Sequence, residues 1–225
     1  MPVIDFNAVV AQFQEGARAE RLARDPVAWV EERLGEHVWS KQREALASVI
    51  NNKRTMVASC HGSGKTWLAS RLIGWWLDTK DTAPTETRII TTAPSWNQVA
   101  NVMWGYVDEV RQKAGMPGNI TAKASWTFPG YKTPTAFGRK PSDYDESTFQ
   151  GIHATNVLVV VDEAGGVPES IFTSVEAITT NANARILAIA NPDDPGSYMA
   201  KVWREESKKA PEDRRWNLIT ISAFD

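Results

Sequence analysis

A chain of 225 residues with 42% hydrophobic and 23% charged residues has the composition of an ordinary soluble globular protein, enough for one large α/β domain or two small ones. Its net charge of −2 argues against a uniformly basic, nucleic-acid-coating surface, while leaving room for a local basic stripe. No apolar run approaches the ~20 residues that cross a bilayer; the N-terminus lacks the basic start of a secretory signal; and a single cysteine, Cys60, excludes an internal disulfide and fits a reducing compartment.

The spacing predicts two short helices over 5–22 and 26–34, broken at Asp25-Pro26, where Pro26 suits a first helical turn. Ala45, Leu46, Val49 and Ile50 give 40–50 a helical period. Residues 54–59 read as a core strand, followed by a helix from Trp67 to about Lys80. Residues 87–92 form a second strand, and Ser95 can cap a long helix whose apolar face runs Val99, Val102/Met103, Tyr106/Val107 and Val110. From 119 to 137 the pattern alternates, with Ile120, Ala122, Ala124, Trp126 and Phe128 on one face and a hairpin to 134–137. Residues 138–150 are polar and turn-rich and read as a loop. The β-branched run 157–161 is typical of a strand buried on both faces. A helix near 168–180, a strand at 185–190, a helix at 197–208 and a strand at 216–222 follow. This alternation implies a mainly parallel sheet flanked by helices, in a single domain. Ten tryptophans are many for this length. Trp67, Trp75 and Trp76 read as burial against the sheet, and Trp39 alone as a functional candidate. The abrupt end at Ala223-Phe224-Asp225 leads us to expect a piece of a longer polypeptide.

The chemistry concentrates in RTMVASCHGSGKT, residues 54–66. A strand, a loop with Gly62, Ser63 and Gly64, and a helix opening at Lys65-Thr66 make a phosphate-binding loop, although Ser59 stands where the usual pattern has its first glycine. Backbone N–H groups of such a loop cradle phosphates, Lys65 adds a positive charge, and the Thr66 hydroxyl can ligate Mg²⁺. The helix N-terminus faces the same anion. Downstream, 157–161 delivers Asp162-Glu163 at the carboxyl end of a strand, where open α/β sheets place their ligands. Asp162 is assigned to the metal, and Glu163 to the base that deprotonates the attacking water, which favours hydrolysis over mere nucleotide binding. Asn191, at the end of 185–190, can sense the γ-phosphate, although Asn-Pro is also strong turn chemistry. Gln42 can pair with both edges of adenine, and Trp39 can stack on the base or staple its helix. His61 is either a phosphate contact or a solvent-facing loop residue. Among arginines that could reach a phosphoryl group, Arg139 is first, with Arg204, Arg214 and Arg215 as rivals.

Taken together, VWSKQREAL, VASCHGSGKTWLAS, IITTAPSWNQV, STFQGIHATNVLVVVDEAGGVP, ILAIANPDDPGS and WNLITISAFD resemble the large terminase subunit of tailed double-stranded DNA bacteriophages, in its N-terminal packaging ATPase domain, from about residue 38 to 225. The resemblance implies a RecA-like P-loop NTPase fold, with 1–36 as a helical N-terminal extension and 37–225 as the P-loop core. It implies ATP and Mg²⁺ as cofactors, Gln42 at the adenine, Lys65 and Thr66 at the phosphates, Asp162 at the metal, Glu163 as base, and Asn191 in the motif that couples hydrolysis to motion. The implied partners are double-stranded DNA, the portal protein, the small terminase subunit and further copies of the chain in a ring. The implied location is the host cytoplasm, transiently on the procapsid and outside the mature virion, with no membrane. The family's nuclease domain would follow Asp225, so nuclease activity is not expected of these 225 residues. His61 stands where the family often has an arginine, which directs attention to an arginine from an adjacent subunit. A helicase motor domain shares the Gln, phosphate-loop and Asp-Glu-Ala features, but Asp-Glu-Ala-Gly and Ala-Asn-Pro depart from its usual motifs. A nucleotide-gated assembly module is the non-enzymatic alternative.

Overall fold

The strand-forming runs assemble into one eight-stranded sheet in the computed structural model, which describes residues 6–80, 86–139 and 154–225. In chain order the strands are β1 (Arg54–Ser59), β2 (Thr87–Thr92), β3 (Asn119–Thr121), β4 (Ser125–Thr127), β5 (Ala136–Arg139), β6 (Asn156–Asp162), β7 (Ala184–Ala190) and β8 (Asn217–Ile221). They lie side by side as β3-β4-β5-β2-β6-β7-β1-β8, parallel from β5 to β8, with the antiparallel pairings confined to β3–β4 and β4–β5 at one edge. The helices are α1 (Phe6–Arg24), α2 (Pro26–Trp29), α3 (Ser40–Asn51), α4 (Lys65–Thr79), α5 (Trp104–Lys113), α6 (Glu169–Ile178) and α7 (Tyr198–Glu206).

The uninterrupted apolar runs resolve into two cores because successive side chains leave opposite faces of a strand. Leu158 and Val160 of β6, with Leu187 and Ile189 of β7, join the core under α3, α4 and α5. Val157, Val159 and Val161, with Ile186, Ala188 and Ala190, join the core under α6 and α7. Helix α4 is buried from Leu68 to Leu77, so it lies inside the first core rather than over it. Trp75 is fully buried in this core, and its indole N–H donates to the Leu22 carbonyl of α1 (2.8 Å). Trp29 is fully buried and donates to Asp78 (2.7 Å), so the N-terminal helices close the outer side of α4.

The break at Asp25-Pro26 is as expected, with the Asp25 carboxylate accepting from the Val27 and Ala28 amides (2.9 and 3.0 Å). Beyond it, the helix expected to run to 34 is α-helical only to Trp29; Val30–Leu34 is wound as a π-helix and ends at Gly35. The helix after Ser95 begins the same way, π-helical over Gln98–Met103 before α5. The wider π turn keeps Val99, Met103, Val107 and Val110 fully buried and leaves Val102 and Tyr106, expected on the buried face, exposed. The expected single alternating run from 119 is folded in two: β3 and β4 pair around a turn at 122–124, with Ala124 at φ 51°, and β4 then pairs with β5. Gly138 and Arg139, read as loop, extend β5; the rest of the expected loop from 140 to 150 lies outside the described residues.

Candidate nucleotide-binding site

Strand β7 lies between β1, which leads into the glycine-containing loop, and β6, which ends in the acidic pair. At a strand spacing of ~4.8 Å, the carboxyl ends of these three neighbours converge within about 10 Å. That order brings Lys65, Asn191 and Asp162 together although they are far apart in sequence.

The loop leaves β1 at Ser59 and is tied to the sheet by the Cys60 amide donating to the Ile221 carbonyl (2.9 Å). Ser59 is fully buried, and its hydroxyl bonds the Cys60 carbonyl (3.2 Å) and the Ser63 hydroxyl, so it closes the loop from beneath. Gly64 has φ 82°, and a Cβ on it would stand 3.0 Å from the Gln42 amide nitrogen. Only glycine meets both conditions without strain. The same close approach places Gln42, a buried residue of α3, against the loop, while Trp39 packs half-buried on the core at the start of that helix.

Lys65 is buried, and its ammonium donates to the Cys60 carbonyl (3.2 Å) and to Asn191 Oδ1. The Asn191 amide nitrogen lies 2.6 Å from His61 Nδ1, and His61 Nε2 is 3.5 Å from Asp193 Oδ2. The turn at the end of β7 is therefore tied to the glycine-containing loop through Asn191, with Asp193 beside the exposed His61 ring. Sequence reasoning singled out only Asn191; the signal for Asp193 was its place two residues on in the same turn.

The Thr66 hydroxyl donates to Asp162 Oδ2 (3.0 Å), and Asp162 Oδ1 accepts the Glu163 amide (3.1 Å). Burial pushes the Asp162 carboxyl up to about 6, against the lowering effect of the Thr66 bond, with the neighbouring Glu163 charge raising it further. Glu163 is half-buried and adopts a left-handed backbone (φ 48°, ψ 43°), which ends β6 and opens the short 3₁₀ turn Ala164–Gly166. A non-glycine residue held there stores roughly 1–3 kcal/mol of strain, a cost that clusters at functional positions.

Arg139 is exposed at the end of β5, with its guanidinium 4.9 Å from the Phe137 ring centre. Strand β2 separates it from β6, so the structure does not bring it to the Lys65–Asp162 cluster of its own chain. Arg204 donates to the Pro195 carbonyl (2.8 Å), Arg214 to the Glu206 carbonyl (3.1 Å), and Arg215 to Glu176 (2.5 Å). The last two serve as ties within the C-terminal segment.

The donor set fits a nucleotide with a hard divalent cation. Thr66 and Asp162 offer oxygen only, and among the described residues no group of three or more His, Cys, Asp or Glu could hold a metal by itself. Magnesium is characteristically held by one or two protein oxygens together with substrate phosphates. The Lys65 ammonium, held by neutral acceptors alone, is the matching anchor for those phosphates.

No protein-family model matches the sequence, and no curated protein matches it significantly. Solved structures do match in fold. The large terminase of bacteriophage HK97 superposes with a TM-score of 0.63 at 16% identity, over 88% of this chain and 43% of that one. The large terminase of a thermophilic bacteriophage, solved in complex with ADP, gives 0.62 at 18%, over 83% and 46%. The large terminase ATPase domain of Thermus phage P74-26 gives 0.58 at 18%, over 89% and 87%. This chain thus spans less than half of the first two terminase chains but most of the P74-26 ATPase domain. Its mostly parallel, helix-flanked sheet has the RecA-like fold of the large-terminase ATPase domain.

Proposed function

We propose that this chain is the Mg²⁺-dependent ATPase domain of a phage large terminase, a motor that drives double-stranded DNA into a procapsid. The observation that carries the reading is the paired contact Lys65–Asn191 and Thr66–Asp162 at the carboxyl ends of three adjacent strands, on a terminase fold. Gly62, Ser63 and Gly64 line the phosphates, and Gln42 and Trp39 serve the adenine. Thr66 and Asp162 hold the metal, which when bound neutralises phosphate charge. Glu163 takes a proton from the attacking water as the new P–O bond forms and the bond to ADP breaks. A phosphate that draws the Lys65 ammonium away frees Asn191, and with it the turn joined to His61. Work then passes to DNA through copies of the chain arranged in a ring with the portal and the small subunit, in the host cytoplasm.

The test is nucleotide binding and turnover measured side by side. Lys65→Ala is expected to lose ATP binding, and Glu163→Gln to keep it while turnover falls on the order of 10²–10⁴-fold, the scale of a general base. Unchanged turnover in Glu163→Gln would remove Glu163 from the base role, and ATP binding without turnover in the wild-type protein would leave a nucleotide-gated assembly module in place of a motor.

A further inference from the structure

At the opposite, amino-terminal edge of the sheet lies a cavity of about 90 Å³ lined by Ile50, Trp75, Trp76, Lys80, Asn156 and Arg185, with Asn183 at its exposed margin. Arg185 and Asn191 are six residues apart on β7 and its end, so about 20 Å separates this cavity from the nucleotide site. Lys80 donates to the Ala23 carbonyl (3.1 Å) and sits 4.5 Å from the Trp75 ring centre. Arg185 donates to the carbonyls of Ile50 (3.2 Å), Ala182 (2.8 Å) and Ala184 (2.9 Å). Among the described residues the acceptors of both cations are backbone carbonyls, and no carboxylate pairs with either.

Ala23 and Ile50 belong to the last turns of α1 and α3, so each cation caps a helix C-terminus. A helix end carries about half a negative charge. These two ends, with the end of α4 that Lys80 itself closes, leave roughly half a positive charge of the two cations uncompensated in a half-buried place. Burial, with the Arg185 charge adding to it, presses the Lys80 ammonium below the ordinary lysine value, and burial does the same to Arg185. Trp76 also lines the cavity, and its indole N–H is buried without an acceptor among the described residues. Indole donors normally find a partner when buried.

We propose that this cavity binds one phosphate-class oxyanion between Lys80 and Arg185. Its volume is that of about three waters, suited to a single tetrahedral group and too small for a nucleotide. A guanidinium and an ammonium in one lining supply the charge-assisted donors such a group takes. The phosphate is either the free ion or one carried by a nucleic-acid backbone or end.

The phosphate loop would bind the same probe, so the test uses Lys65→Ala protein. Calorimetric titration with inorganic phosphate, against chloride at equal ionic strength, is expected to show one saturable site, weakened at least tenfold by Arg185→Gln or Lys80→Gln. A Lys65→Ala protein that binds no phosphate, or binding indifferent to both further substitutions, overturns the proposal. Asp81 follows Lys80 and lies outside the described residues, so Asp81→Asn is carried in parallel. Binding seen only in that variant would mean an internal ion pair instead of a ligand site. A selenate soak of wild-type crystals is independent of variant folding: an anomalous peak between Lys80 and Arg185 supports the site, and its absence at saturating selenate sinks it. A 5′-phosphorylated oligonucleotide that competes with phosphate identifies a polymer-borne group, and one that does not identifies the free ion; the oxyanion site stands either way.

Discussion

Asp162 shows what the site costs the fold. Its carboxyl titrates near 6 in the folded chain against 3.8 for an unperturbed aspartate, because burial penalises its charge more than the Thr66 hydroxyl relieves it. A raised carboxyl value means that the folded state holds its proton more tightly than the unfolded state. The stability it contributes is therefore complete below about pH 4 and is lost as pH rises through 6. A shift from 3.8 to about 6 corresponds to ~3 kcal/mol, taken as an order of magnitude. Asp162→Asn keeps an acceptor for Thr66 and removes the charge. In nucleotide-free, metal-free protein it is expected to raise the melting temperature at pH 8 and to leave it nearly unchanged at pH 4, while abolishing metal-dependent turnover. Equal melting curves at pH 8 would show that Asp162 is not held at a cost. Both partners of this contact, Thr66 and Asp162, were legible in the sequence because each lies beside a strand end with a distinctive composition. Asp193 was not: its meeting with His61 depends on the three-dimensional turn after β7, which Asn-Pro-Asp-Asp-Pro-Gly marks without orienting.

Helix α4 is the element on which the rest is built, and its packing rests on two features without apolar periodicity. A Cβ at Gly74 would meet Val110 at 2.3 Å and Trp29 at 3.0 Å, so α5 and the N-terminal segment can approach α4 closely only at a glycine. Arg71 is buried on the same helix and clasps Glu36 through Nε and Nη2 (2.8 Å each), with Nη2 also reaching Glu109 of α5 at 3.1 Å. Burial alone would raise the Glu36 carboxyl, but the Arg71 and Lys113 bonds outweigh it and hold it below the usual range. Removing one partner of a buried pair costs about 3–5 kcal/mol. Arg71→Met is expected at the low end of that, about 3 kcal/mol by denaturant unfolding, because Lys113 still pairs with Glu36. A change below about 1 kcal/mol, the scale of an exposed ion pair, would show the clasp to be dispensable. These features also mark where sequence patterns stop informing. The strands β1, β2, β6 and β7 followed from β-branched runs bounded by turn residues, nearly to the residue. The π-helical windings at Val30–Leu34 and Gln98–Met103, and the fold-back at 122–124, did not, because they are set by what each segment packs against.

At the scale of the whole molecule, the site within one chain lacks an arginine among the described residues. Lys65 is the buried cation at the loop, His61 occupies the loop position that the resemblance associates with arginine, and Arg139 stands at the end of β5 across β2 from the acidic pair. Arg139 is exposed, with its guanidinium resting on the Phe137 ring. Transition-state charge on a transferred phosphoryl group is commonly met by a guanidinium supplied in trans, worth about 10³–10⁵-fold in rate. If Arg139 serves that role, Arg139→Ala should fold normally and bind ATP with unchanged affinity, since it touches no part of the Lys65–Asp162 cluster. Its turnover in an assembled ring should nevertheless fall by at least about 10³-fold. Mixing it with Glu163→Gln copies supplies the decisive measurement. At interfaces where an Arg139→Ala chain holds the nucleotide and a Glu163→Gln neighbour offers its intact Arg139, a complete site is restored. The mixture should hydrolyse ATP although neither variant does alone, with a maximum near equal proportions. Silent mixtures at every ratio, with both variants assembled into rings, would exclude Arg139 as the shared arginine and turn the search to Arg204, beside the turn that carries Asn191.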